Sequence, residues 1–320
     1  STDPTIVSLD ATMREIPYST GFAYQRWYRC LDVQILKKIG VWDIEKLRTI
    51  LLLEANFNMN NKKLGRDAMF FAERCNALAE EQYGGRKNHR AAEVALNAKL
   101  VNDILRQNKR AGAICSNDAQ SCFDRIVMRF VFATLKAWGA PTSALRMWEQ
   151  TLYHIIHSVK TALGLSSANY KYSPLSPIIG PGQGSRGGPA ACSVATSPLL
   201  TSMDRLAHGI SFTSPSQQLF YSACAKMFVD DNTNYSNKFL PWLHTPPEPT
   251  VVRDMIQHDA QTWERLLWTS GGLLKLPKCL YYLMIWMFDA EGTACLTPSL
   301  DLPSMELSSG DSGLYTEIAQ

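Results

Sequence analysis

Two adjacent aspartates, Asp230 and Asp231, form the part of the sequence best suited to metal chemistry. Phe228 and Val229 precede them, and the polar run 232–234 follows. Aromatic and β-branched residues favour a strand and Asp-Asp-Asn favours a turn, so a β-hairpin with two carboxylates at its tip is predicted. Neighbouring carboxylates repel one another unless a cation lies between them, and hard oxygen ligands suit Mg²⁺ or Mn²⁺. Taken alone, the same residues also fit an ordinary surface turn.

A third carboxylate ends another predicted strand. The apolar stretch 111–117 leads into Asp118, and Phe123 follows five residues later. Two strands that deliver carboxylates to one place have the geometry of two-metal phosphoryl transfer, in which the ions lie roughly 3.5–4 Å apart.

A glycine-rich stretch, residues 180–189, precedes a predicted helix that runs from residue 190 to about 206. It has neither the spacing of a Walker loop nor that of a Rossmann fingerprint. Its glycines would allow the backbone to approach a planar ligand or a nucleic-acid strand closely.

Basic side chains are concentrated in the first third of the chain. Residues 1–110 contain 18 Lys/Arg and 13 Asp/Glu, a net charge of +5, and the rest contains 14 and 16, a net charge of −2. A basic front and an acidic rear are compatible with phosphate binding and metal binding. A predicted hairpin of strands 34–38 and 47–53 would present Lys37 or Lys38 together with Arg48. This pair could hold a triphosphate, or it could be ordinary surface charge.

The composition indicates a folded intracellular protein, in the cytoplasm or the nucleus. Hydrophobic residues make up 46% of the 320 residues, and the longest apolar run, 280–288, is too short to span a bilayer. Eight cysteines without a CxxC pair are expected to be reduced thiols. Residues 1–25 carry little pattern, 280–288 is expected to be one strand, and 241–249 is expected to be a proline-rich loop. Apolar spacing predicts helices at 64–78, 92–104, 124–138, 144–158, 190–206 and 251–268.

The order of these motifs resembles that of the reverse transcriptase family, over about residues 33–290. Four segments resemble palm motifs of that family: the first motif at 118–124, the Gln-Gly motif at 182–184, the aromatic-x-Asp-Asp box at 228–231 and the lysine-bearing fourth motif at 271–279. Two further segments are similar to parts of retrotransposon enzymes: a fingers segment at 82–86 and the Arg-Pro-Ile segment at 47–53. Their shared order favours the metal-site interpretation of Asp230 and Asp231.

The resemblance implies an α+β protein with the polymerase right-hand fold. It would have fingers plus a palm, with an antiparallel sheet backed by helices and with the thumb largely missing. Residues 1–110 would form a fingers-like region and 111–300 the palm, with a fingers insertion at about 140–180. Residues 301–320 are expected to be a loosely ordered tail.

The resemblance also implies an activity, that of an RNA-directed DNA polymerase of a retrotransposon-type element. Its partners would be an RNA template, a DNA or RNA primer and deoxynucleoside triphosphates, and the oligomeric state is left open. Asp118, Asp230 and Asp231 would bind two Mg²⁺ ions, or Mn²⁺, and Lys278 would act as a general acid towards pyrophosphate. The implied substrate-binding residues are Lys38, Arg48, Arg86, Phe123, Gln183 and Gly184.

Two alternatives stay open on the sequence. An RNA-dependent RNA polymerase shares the palm, but the ring of Phe123 would clash with a 2′-hydroxyl and so favours deoxynucleotides. A decayed palm that only binds nucleic acid is the second alternative, and the presence of all three carboxylates argues against it.

Overall fold

Helices and strands alternate along the chain in the computed structural model, which describes residues 3–173, 180–237 and 248–320. The α-helices are α1 (Pro4–Thr20), α2 (Ala55–Arg74), α3 (Ala91–Gln107), α4 (Cys122–Arg125), α5 (Met128–Ala137), α6 (Thr142–His154), α7 (Gly188–Leu206) and α8 (Pro249–Thr269). The β-strands are β1 (Arg29–Leu36), β2 (Leu47–Leu52), β3 (Gly112–Asn117), β4 (Ile156–Thr161), β5 (Gly164–Lys171), β6 (Ile210–Thr213), β7 (Phe220–Ala223), β8 (Ala225–Phe228), β9 (Asp231–Ser236), β10 (Leu280–Met284), β11 (Trp286–Phe288), β12 (Ala294–Leu296), β13 (Met305–Ser308) and β14 (Tyr315–Ile318). The predicted α+β class is confirmed.

The chain divides into two compact units. The first comprises Ser1–Ala77 and Phe123–Ala195, and the second comprises Leu78–Cys122 and Thr196–Gln320. The expected division into a fingers-like region at 1–110 and a palm at 111–300 stays a prediction. Residues 174–179 of the expected fingers insertion, and most of the expected proline-rich loop, lie outside the described residues.

The first unit contains a four-stranded sheet in the order β2-β1-β4-β5. The predicted hairpin of β1 and β2 is confirmed, since these strands pair antiparallel, and β1 also pairs parallel with β4. The helix expected at 144–158 is wrong at its C-terminal end. Helix α6 ends at His154, because residues from Ile156 onwards pair with β1 as a strand.

Helix α1 was not expected from the sequence. Asp3 caps its N-terminus by accepting a hydrogen bond from the N–H of Thr5, Pro4 follows at the first helical position, and Gly21 ends it with φ +80°. These are standard start and stop signals of a helix. Its apolar residues, including Ile6 and Leu9, are largely exposed. The helix therefore has no continuous buried apolar face of the kind that predicts a helix from sequence.

The second unit is built on a four-stranded antiparallel sheet in the order β10-β3-β9-β8. Helix α8 packs on β9 and β3 through buried residues spaced for one helix face: Val252, Ile256, Ala260, Trp263 and Leu267. A second cluster buries Val101 and Leu105 of α3 with Tyr235 of β9 and Met284 of β10. The sheet is therefore backed by helices, as predicted.

The end of the chain differs from its expectation in two ways. The apolar run 280–288 is two strands, since β10 belongs to the four-stranded sheet and β11 pairs with β12. Residues 301–320 are not a loose tail, because β13 and β14 form a hairpin with Met305, Leu307 and Ile318 buried. The side chains of Gln257 and Gln261 on α8 accept hydrogen bonds from the backbone of β13, at 3.0 and 2.9 Å.

The described part of the chain contains no helix with the length and apolar character needed to cross a membrane.

Candidate active site

The Asp-Asp pair lies at the tip of a hairpin, as predicted. The turn itself differs from the prediction: Phe228 of β8 pairs with Asp231 of β9, which leaves Val229 and Asp230, rather than residues 230–232, as a two-residue turn. Val229 has φ +61°, a left-handed conformation that is unusual for a β-branched residue. A two-residue hairpin loop places its first residue in this region and usually takes glycine there. The surrounding structure must therefore hold Val229 in place.

The segment 81–84 supplies that support. The Val229 N–H donates to Gln82 Oε1 at 3.1 Å, and Gln82 Nε2 donates to the Val229 carbonyl at 3.4 Å. Gln82 is fully buried, and its Nε2 also donates to Thr196 Oγ1 at 2.9 Å. The backbone continues the contact, because Met227 N–H donates to the Glu81 carbonyl and Tyr83 N–H donates to the Met227 carbonyl, both at 2.8 Å.

Gly84 completes the contact with the turn. A Cβ atom at this position would lie 2.1 Å from the backbone nitrogen of Val229 and 2.6 Å from its Cγ2 atom. Only glycine allows the two backbones to approach this closely. Sequence reasoning missed this role of Gln82 and Gly84, although both stand in the segment that resembles a retrotransposon fingers motif.

Arg86 lies in the same segment. One of its guanidinium nitrogens donates to the carbonyls of Ala79 and Gln82, each at 3.1 Å. These bonds brace the segment that supports the Asp-Asp turn. The substrate-binding role expected for Arg86 stays a prediction.

The third aspartate, Asp118, directly follows β3 at the same end of the sheet. Asn117 of β3 pairs with Asn232 of β9, so the next positions along the two strands are Asp118 and Asp231. Adjacent strands lie about 4.8 Å apart. The sheet register therefore brings Asp118 next to the Asp-Asp turn, as the sequence predicts.

Lys278 contacts the Asp118 carboxylate. It lies at the end of a short 3₁₀ turn, Leu276–Lys278, just before β10, and its Nζ lies 3.0 Å from Asp118 Oδ2. The backbone holds this segment in place, because Lys275 N–H donates to the Asp118 carbonyl at 2.8 Å. Asp118, Asp230, Asp231 and Lys278 therefore lie in one part of the second unit.

The surroundings of Asp230 disfavour its ionised form. Burial raises the pKa of Asp230, and the nearby carboxylates of Asp231 and Asp118 raise it further, whereas Lys278 lowers it. A divalent cation would relieve this repulsion, and carboxylate oxygens are the donors that Mg²⁺ prefers. The residues therefore fit such an ion.

Elsewhere, the described residues form two groups of three metal-type ligands whose atoms all lie within 4.8 Å of one another: Cys30, Asp32 and His157, and His208, His258 and Asp259. The three aspartates are more widely spread than these groups, and the Lys278 ammonium lies against Asp118. In the first group, His157 Nδ1 lies 3.1 Å from both oxygens of buried Asp32, and the Tyr170 hydroxyl donates to the same carboxylate. Burial opposes ionisation of Asp32, but these hydrogen bonds outweigh it and lower its pKa.

Five further predicted site residues lie in the first unit, and one of them, Phe123, is part of α4. Lys38 is exposed in the turn after β1, and Arg48 is exposed on β2. Gln183 and Gly184 are fastened to the same strand at Leu51, because Leu51 N–H donates to the Gln183 carbonyl at 2.6 Å. The Gln183 side chain donates to Asp124 Oδ2 at 3.2 Å. Arg48 therefore lies on the strand, β2, to which the Gln-Gly stretch is hydrogen-bonded.

Close contacts with backbone atoms require glycine at two positions of the stretch, Gly180 and Gly184. Gly184 has φ +110°, and a Cβ there would lie 2.4 Å from the Leu51 carbonyl oxygen. A Cβ at Gly180 would lie 2.3 Å from the carbonyl oxygen of Phe123, and one at Gly188 would lie 3.7 Å from the Phe123 ring. These glycines therefore allow close contacts within the protein, around Leu51 and Phe123, and the expected approach of the backbone to a ligand or a nucleic-acid strand stays a prediction.

The sequence matches the family model described as reverse transcriptase (RNA-dependent DNA polymerase) over residues 35–240. The match spans more than half of the chain, so the protein belongs to the reverse transcriptase family. A comparison with curated protein sequences finds no match.

Similar solved structures show the fold at low sequence identity. A telomerase from Candida albicans, in complex with a TWJ fragment of telomeric RNA, matches with a TM-score of 0.52 and 12% identity over 92% of this chain and 45% of that chain. An apo telomerase from Candida tropicalis, truncated from its C-terminal domain, matches with a TM-score of 0.51 and 11% identity over 87% of this chain and 55% of that chain. The chain thus spans about half the length of these structures. The predicted right-hand polymerase fold is confirmed.

Proposed function

We propose that this chain is the polymerase part of an RNA-directed DNA polymerase. It would transfer deoxynucleotides from their triphosphates to the 3′-hydroxyl of a DNA or RNA primer on an RNA template. The observation that carries the proposal is the meeting of Asp118, Asp230 and Asp231 at one end of one antiparallel sheet. Membership of the reverse transcriptase family supports the same activity.

Asp118, Asp230 and Asp231 would hold two Mg²⁺ ions, with Mn²⁺ as a substitute. Bound there, the ions would lower the pKa of the primer hydroxyl and neutralise phosphate charge. The aspartates are suited to this role because burial and the two neighbouring carboxylates destabilise the ionised form of Asp230, and a cation would stabilise it. The support of Val229 by Gln82 and Gly84 would fix the position of the Asp230 backbone before substrate binds.

Lys278 is proposed as the general acid towards pyrophosphate. Its ammonium is held 3.0 Å from Asp118 Oδ2, with more than half of its side chain exposed, and so it remains accessible to a leaving phosphate. A positioned proton donor contributes typically about 10²–10⁴-fold to the rate of such a step.

The residues of the first unit would bind the nucleotide and template. Lys38 and Arg48 are exposed cations that would contact the triphosphate. Gln183 and Gly184 would pack near the template base and the incoming nucleotide, and Arg86 would support substrate binding. Phe123 would lie under the sugar and select deoxynucleotides, which favours DNA synthesis over the RNA polymerase alternative.

A retrotransposon-type element is the proposed source of the activity. The support is the likeness of segments 82–86 and 47–53 to those of retrotransposon enzymes.

Primer extension on an RNA template tests the proposal. The wild type should add single deoxynucleotides in the presence of Mg²⁺ or Mn²⁺, and Asp118→Asn and Asp230→Asn should each slow addition at least about 10³-fold, because a metal ligand is worth several kcal/mol in the transition state. Asp301→Asn, at an exposed position of the same unit, is the matched control. A wild type that binds the template–primer duplex without extending it would support the decayed-palm alternative instead.

A further inference from the structure

We propose that His208, His258 and Asp259 form a binding site for a transition-metal ion of the Zn²⁺ type, separate from the catalytic aspartates. His208 follows α7, and His258 and Asp259 lie on α8. The Nδ1 atoms of the two histidines lie 2.8 and 3.2 Å from the same oxygen, Asp259 Oδ1. The centroids of the two imidazole rings lie 4.8 Å apart at an interplanar angle of 75°, and one ligand atom from each of the three residues lies within 4.8 Å of the other two.

The carboxylate of Asp259 is held in place by its other partners. Its Oδ2 accepts hydrogen bonds from Ser236 Oγ at 2.5 Å and from Gly209 N–H at 3.2 Å, and its Oδ1 accepts one from His208 N–H at 2.9 Å. Gly209 has φ +64°, and this turn wraps the backbone around the carboxylate. Metal ligands in proteins are characteristically oriented by such supporting hydrogen bonds.

The charge of Asp259 also favours a cation at this position. The side chain is fully buried, and in the described part of the chain its ion-pair partners are the two histidines alone. A buried carboxylate is costly unless a positive charge compensates it. A divalent ion would supply that charge, and the two imidazole nitrogens would bind it through their lone pairs.

The donor set distinguishes this ion from Mg²⁺. Two nitrogens and one carboxylate oxygen suit Zn²⁺ and its relatives such as Co²⁺, whereas Mg²⁺ prefers oxygen ligands. The histidine side chains are 43% and 54% exposed, so solvent can reach the site and supply a fourth ligand.

The site lies at the far end of β9 from the catalytic aspartates. Ser236 is the last residue of that strand and Asp231 is the first, a separation of about 17 Å along an extended chain. A bound ion would tie α8 to the turn after α7, and the hydrogen bond from Ser236 to Asp259 joins this site to β9. Its role would therefore be to stabilise the sheet that carries the aspartates, and the inference does not depend on polymerase activity.

Metal binding to the untagged, full chain tests the proposal. The protein is stripped with a chelator and titrated with Co²⁺ in the presence of excess Mg²⁺, which fills all-oxygen sites. We expect one Co²⁺ per chain with visible absorption typical of nitrogen ligands, displaced by Zn²⁺, and a rise in melting temperature on Zn²⁺ addition.

Variants separate this site from other ligands of the chain. The double variant His208→Gln/His258→Gln should bind Co²⁺ at least about 100-fold more weakly and lose the thermal shift. The single variant His258→Gln, checked by circular dichroism, covers the case in which the double variant fails to fold. His154→Gln, at an exposed histidine of α6, should bind as the wild type does. Equal Co²⁺ affinity and stoichiometry in the wild type and the folded histidine variants would overturn the proposal.

Discussion

Replacing Gly84 with alanine should slow nucleotide addition about 100-fold in a protein that still folds. The added Cβ would lie 2.1 Å from the Val229 nitrogen, whereas ordinary contacts begin near 3.4 Å, so one of the two backbones must move by about 1 Å. Both belong to paired segments, and Val229 directly precedes Asp230. A shift of this size in a catalytic group costs about 10²-fold in rate, and overpacking costs about 1–3 kcal/mol of stability.

The assay is single-turnover addition of one deoxynucleotide, with urea unfolding measured on the same preparation. The expected result is a rate of addition about 100-fold below that of the wild type in a protein that remains folded. Gly292→Ala is the control: its φ is +81°, but no atom lies within 4 Å of the added Cβ, so it introduces backbone strain without a collision. If folded Gly84→Ala adds nucleotides within about threefold of the wild-type rate, the turn does not depend on this contact.

Three further predictions concern charge and sugar selection. The raised pKa of Asp230 means that the folded state favours its protonated form. The resulting contribution to stability is fully present below the ordinary pKa of 3.8 and is lost as the pH rises through the folded-state pKa. Asp230→Asn should therefore melt at a higher temperature than the wild type at neutral pH, and the difference in melting temperature should disappear in acid. Added Mg²⁺ should stabilise only the wild type, and an equal rise in the melting temperature of both proteins would contradict the metal assignment. Phe123→Val should raise ribonucleotide incorporation, and unchanged sugar selectivity would refute the role of the ring. His157→Ala should cost about 3 kcal/mol in urea unfolding, because it removes a partner of buried Asp32. Since the pKa of Asp32 is lowered, that difference should shrink as pH falls from 3.8 through the folded-state pKa, and a constant difference would count against the pair.

Local chemistry accounts for what the sequence predicted well. The Asp-Asp hairpin follows from apolar residues before the aspartates and a polar run after them, all within a dozen residues, although the turn is Val229 and Asp230 rather than residues 230–232. Helix α8 follows from one apolar face and a glycine stop at Gly271 and Gly272. The meeting of Asp118 with that hairpin was not local, and it could be expected only because the order of motifs resembles a known family.

The features that were missed depend on contacts between distant residues. Gln82 supports Val229 from 147 positions away, and a single buried amide leaves no periodic pattern in the sequence. The polar, Ser-rich composition of 301–320 gave no sign of the hairpin at 305–318. This hairpin is held by hydrogen bonds to Gln257 and Gln261 of α8, which lie more than 40 positions away in the sequence. No spacing rule could have found the convergence of His208 with His258, since 49 residues separate them and neither lies in a recognisable ligand motif.

The attachment of the Gln-Gly stretch to Leu51 has a kinetic consequence. Arg48 and Leu51 lie on one short strand, and Gln183 is bonded to that strand through its backbone, with no room for a side chain at Gly184. Any displacement of β2 would carry Gln183 with it. If Arg48 and Gln183 have their proposed roles, binding of the triphosphate by Arg48 and contact of the base with Gln183 would then occur as one event. A pre-steady-state trace of correct nucleotide binding should accordingly show a single conformational phase.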